Sequence, residues 1–219
     1  MSTDAHPTVE DLRTIRAAGV AGLLFAGLLT FSLVLMRLDP LGETGGSAGG
    51  IIRVGDNWML ALYLIPFAGI AFLWFLATLR RRIGRGEDQF FATVFLGSGF
   101  LFIAMLFAAD AAATAAVTAV RAGNATANDP TFILGRSLAE ALFYVFAMKM
   151  AAVFMLVSSN IGRRRGVFPR WLIGFGVIAA LVMLLSVGFF EPLALLFPLW
   201  VVFVSIQLLR AHPDSWSAG

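Results

Sequence analysis

Six stretches of this chain are each long and apolar enough to cross a lipid bilayer. They run from Ala18 to Met36, Trp58 to Leu79, Phe90 to Val120, about Ser137 to Ser158, Trp171 to about Phe190, and Leu193 to Leu209. A hydrocarbon core of about 30 Å is spanned by roughly 20 residues of α-helix. Water is absent there, so each segment must satisfy its own backbone N–H and C=O groups, and the helix does this within one segment. The expected fold is therefore all-α: a polytopic membrane helix bundle with six transmembrane helices. Residues 1–17 form a tail, 18–210 the membrane domain and 211–219 a second tail. No loop is long enough for another domain, and Leu41 to Gly50 reads as a Gly-rich connector.

Composition excludes the main alternatives. The chain is 59% hydrophobic and 13% charged, whereas soluble domains average roughly 45–50% and about 25%. A soluble globular enzyme and a disordered tail protein are both excluded. No Cys is present, which removes disulfides, thiolate nucleophiles and Cys-held metals. The two His, His6 and His212, both lie in the tails, so two imidazoles cannot hold a haem inside the membrane and the serines have no triad partner. No cofactor and no metal are expected.

Arginines set the orientation. Arg13, Arg16, Arg80, Arg81, Arg82, Arg85, Arg163, Arg164, Arg165, Arg170 and Arg210 fall on one side of the expected spans, and Arg37, Arg53, Arg121 and Arg136 on the other. The positive-inside rule places the first set, and with it both termini, in the cytoplasm. Glu10 and Asp11 beside Arg13 and Arg16, with no small-residue cleavage site directly after the first span, argue for a retained helix rather than a signal peptide. The net charge of +3 then belongs to a basic face against anionic lipid, not to nucleic-acid binding.

Lipid tails are as apolar as Leu, so helices associate through close backbone approach and polar contacts. Ala18, Gly22 and Ala26 step along one face of span one, Gly97-Ser98-Gly99 mark span three, and Gly174 and Gly176 mark span five. Trp58, Trp171 and Trp200 are expected near the interfaces. Pro66 and Pro198 lie inside apolar stretches, and each frees a carbonyl one turn earlier, near Leu62 and Ala194.

Two stretches, Leu62 to Phe75 (LYLIPFAGIAFLWF) and Gly86 to Phe102 (GEDQFFATVFLGSGFLF), resemble a group of uncharacterised integral membrane proteins of actinobacteria. The likeness covers spans two and three with their loop. It implies a bacterial inner-membrane location and no particular chemistry. Within it, Glu87 and Asp88 precede span three, where acids meet the positive end of a helix dipole. Arg80, Arg81 and Arg82 lie close enough in sequence to pair with them. The turn is either a capped, salt-bridged structure or a docking point for a partner.

Three ionisable residues interrupt the apolar spans: Asp110, Glu140 and Lys149. Such residues normally face the bundle interior or a water-filled space. Spans three and four meet around a turn ending in Asp129-Pro130, an Asp cap with Pro in the first helical turn. As an antiparallel hairpin they bring Asp110 level with Leu142, within a turn of Glu140 and Tyr144. Two acids held close can share a proton, which describes a proton or cation site; alternatively Arg121, Arg136 or water satisfies them, and Arg136 and Glu140 are spaced to pair along the helix. Glu191 is a further carboxylate at the same end. Lys149, the only Lys, sits near the middle of span four, and the Leu62 carbonyl freed by Pro66 is its expected acceptor. It marks a site for an anionic group, a lipid headgroup or a coupling proton, or else it faces a wet crevice without function.

Function divides accordingly. The first reading is a non-enzymatic accessory or scaffold subunit that binds membrane lipids, a membrane-protein partner or a second copy of itself. The second is a small transporter or channel for a proton, cation or small anion using Asp110, Glu140 and Lys149. A continuous polar path would favour the second, and a solid interior the first. A Schiff base on Lys149 is chemically possible, but six helices with the Lys in the fourth do not resemble the rhodopsins.

Overall fold

The computed structural model describes residues 9–38, 56–83, 89–123, 129–186 and 191–210. They are helical throughout, apart from short turns. Helices α1 (Val9–Leu38), α2 (Asp56–Ile83) and α3 (Gln89–Arg121) are followed by α4 (Pro130–Arg164), whose middle, Ala141–Ala147, widens into a π-helix. Then come α5 (Arg170–Leu185), a 3₁₀ turn (Glu191–Leu195) and α6 (Leu196–Arg210). Five segments are long and apolar enough to cross a membrane, the fifth being Pro192–Arg210, in which the 3₁₀ turn and α6 run together; α5, with 16 residues, is shorter. Span five was expected to reach about Phe190, but helix geometry ends at Leu185 and Ser186 is extended.

Helices consecutive in the chain pack antiparallel, and α1 also packs antiparallel to α6. Gly22 of α1 lies against Ser205 of α6 and Phe75 of α2, and Gly99 of α3 against Leu76 of α2. Gly135 of α4 faces Ala116 of α3, one residue from the register expected for that hairpin. Asp129 caps α4, its carboxylate accepting from the Thr131 N–H at 2.8 Å, with Pro130 opening the helix. Arg80, Arg81, Arg163, Arg164, Arg165, Arg170 and Arg210 share one end of the bundle, and Arg37, Arg121 and Arg136 the other.

The centre is aromatic. Phe25, Phe72, Phe102, Phe154 and Phe197, one each from α1, α2, α3, α4 and α6, are fully buried. Their rings meet tilted or edge-on, with centroids 4.8 Å apart for Phe25–Phe72, 5.0 Å for Phe72–Phe102 and 4.9 Å for Phe102–Phe197. Those orientations set ring edges against ring faces, which the aromatic quadrupole favours. Trp200 extends this cluster against Phe154. It is fully buried, with no hydrogen-bond partner on Nε1, and so does not belong to an interfacial belt. Large apolar side chains are exposed around the outside, among them Tyr63, Phe67, Ile70 and Trp74 along one face of α2.

Not every small residue packs. Gly22, Gly99 and Gly176 admit neighbours that a Cβ would strike, whereas Gly97 and Gly174 face open space. Pro66 lies within α2, and Pro198 falls in the first turn of α6, directly after the 3₁₀ turn.

Candidate functional site

A cavity of about 390 Å³ opens at the end of the bundle that carries Arg37 and Arg136. Its walls come from the last turns of α1, the first turns of α2, the second half of α3, the first half of α4 and the 3₁₀ turn before α6. The end of α5 is level with Lys149, which lies about 28 Å along α4 from Pro130. Helices α3 and α4 therefore run on past the point where α5 stops. Ala109, Ala113 and Ala116 on α3, with Ala139 on α4, line the gap with side chains too small to fill it.

Asp110, Glu140 and Tyr144 all line this cavity. The α3–α4 hairpin brings them together, as the register of Gly135 on Ala116 requires. Glu140 is committed: its carboxylate accepts from Arg136 Nε at 2.8 Å, one helical turn away. Arg121 is paired elsewhere, with Asp56 at 2.9 Å, tying the start of α2 to the end of α3. Asp110 has no cation within ion-pairing distance among the described residues, and its buried Oδ1 accepts no hydrogen bond. Tyr144 and Phe143 belong to the π-helical turn, where the Met148 N–H reaches back to the Phe143 carbonyl. A π-turn inserts a residue into the helical repeat and re-aims the side chains it carries, and such turns concentrate at functional sites.

Lys149 is not part of this site. Its Nζ donates to the carbonyls of Met183 at 2.7 Å, Leu184 at 2.8 Å and Ser186 at 2.7 Å. It thus caps the C-terminal end of α5, where orphan carbonyls and the negative pole of the helix dipole converge. The Leu62 carbonyl is not its acceptor; Leu62 instead lines the cavity. The correction has a physical cause. A helix that ends inside an apolar bundle leaves several unpaired carbonyls at one point, a stronger attraction for an ammonium than the single carbonyl released by Pro66. Lys149 was legible as an intramembrane charge; the early stop of α5 that claims it was not.

Sequence reasoning missed Trp58 and Arg37, both of which line the cavity. Each sits at a helix end, Arg37 in the last turn of α1 and Trp58 in the first turn of α2. Glu87 and Asp88 lie outside the described residues, as do the side chains of Arg82 and Glu191. Arg80 and Arg81 are exposed, and nearby Arg164 sits over the Phe91 ring at 4.6 Å. Among the described residues, no three His, Asp or Glu side chains converge as a metal site would require. No family model, curated protein or solved structure matches the chain.

Proposed function

We propose that this chain is a multi-pass protein of a bacterial inner membrane, with six helices and both termini in the cytoplasm. Its work is non-enzymatic binding: it holds an amphiphilic ligand in the outward-facing cavity, as an accessory protein for lipid or for a membrane partner. The observation that carries this reading is the one-sidedness of the cavity. Its lining comes only from the Arg37–Arg136 end, and the five-Phe cluster begins one helical turn beyond Leu106, at Phe102. That arrangement suits a closed-bottomed binding site better than a path for transport. The ring of exposed apolar side chains supports contact with lipid, and the excess of arginines at the opposite end supports the orientation.

Native mass spectrometry in mild detergent tests the proposal. The wild-type protein is expected to carry a bound amphiphile from the membrane. Ala113→Phe, which places a ring in the cavity, is expected to lose that adduct while remaining folded. An adduct retained equally by both proteins, or absent from the wild type, contradicts the reading.

A further inference from the structure

We infer that the cavity takes an organic cation with a hydrophobic body, and that Asp110 supplies the counter-charge. This deepens the ligand-binding reading above and rests on it. Four charged side chains line the cavity: Arg37, Asp110, Arg136 and Glu140. Arg136 and Glu140 neutralise one another at 2.8 Å. Arg37 is exposed and so belongs to the rim. Asp110 remains, with Oδ1 covered by protein and without a donor. Asp110 is half-buried, and its covered oxygen has neither a hydrogen bond nor a counter-charge; desolvating a carboxylate in that way is costly, and a ligand ammonium supplies what is missing.

The rest of the lining fits the same ligand. Trp58, Phe143 and Tyr144 present aromatic rings, and aromatic faces attract cations, most strongly where water is excluded. The alanine wall of α3 provides apolar surface for a hydrocarbon body. A volume of about 390 Å³ is within the range of small-molecule sites. An anionic ligand would bring its charge against Asp110 and find its attraction only at the rim. A neutral ligand would leave the carboxylate as it stands.

The test uses three probes on the detergent-purified full chain: benzyltrimethylammonium, its uncharged carbon isostere neopentylbenzene, and phenylacetate. Affinities are measured by ligand-observed saturation-transfer NMR. The wild type is expected to prefer the cation to both other probes. Asp110→Asn is expected to weaken cation binding about tenfold or more, as loss of a charged contact implies, and to leave neopentylbenzene unchanged. Equal cation affinity in the two proteins, or a preference for phenylacetate, overturns the inference. Neopentylbenzene binding without preference for the cation overturns it while leaving the binding reading standing; failure of all three probes removes both. If Asp110→Asn does not remain monodisperse, the ranking of the three probes on the wild type decides alone.

Discussion

Lys149→Met is expected to insert into the membrane at least as well as the wild type, yet to form a less stable bundle. The two quantities separate because the mutation acts on different steps. Insertion gains, since an ammonium at the centre of a helix costs about 3 kcal/mol by insertion scales. Assembly loses, since Lys149 Nζ holds the carbonyls of Met183, Leu184 and Ser186, and Met offers them no donor. At about 1 kcal/mol for each hydrogen bond inside a membrane, the loss is about 3 kcal/mol. For a chain of this size that is on the order of 10 °C in Tm. Membrane-fraction yield reports insertion, and thermal unfolding of the purified protein by size-exclusion or light scattering reports assembly. An unchanged Tm would show that the cap at the end of α5 contributes nothing.

Gly22→Val is expected to be nearly as damaging, and Gly97→Val almost silent. Both glycines sit in apolar helices and look alike in sequence. At Gly22 a Cβ would strike Ser205 Oγ and come 2.8 Å from the Phe75 ring, which is fully buried and has nowhere to retreat. Overpacking of this kind costs about 1–3 kcal/mol, and a branched side chain belongs at the upper end. At Gly97 nothing lies within 4 Å of the added Cβ. The same melting assay compares them. Equal losses at the two positions would mean that α1 does not approach α2 and α6 as described.

The sequence disclosed these features unevenly, for physical reasons. Apolar length alone located the helices, because a bilayer leaves the backbone few options. The α3–α4 hairpin was legible through its Asp129-Pro130 cap, and with it the grouping of Asp110, Glu140 and Tyr144. Helix ends inside an apolar run were not legible. Ser186 interrupts hydropathy too weakly to announce that α5 stops at Leu185, and the partner of Lys149 follows from that stop. Which aromatic rings cluster was equally hidden. With 21 Phe in the chain, finding the rings that meet at the centre requires the rotation of every helix about its axis, which depends on tertiary contacts rather than on any local signal. The burial of Trp200 escaped for the same reason: an interfacial preference is a tendency, and its position on the inner face of α6 overrides it.

The cavity at the end of the bundle opposite the arginine-rich face is expected to open to the outside of the cell. Because the chain has no Cys, single Cys residues can be read without background. A Cys at Ala113, which lines the cavity, is expected to react with a membrane-impermeant thiol reagent in intact cells. A Cys at Arg165, exposed at the other end, is expected to react only after permeabilisation. Labelling of Arg165→Cys in intact cells, with Ala113→Cys silent until permeabilisation, would place the cavity on the cytoplasmic side instead.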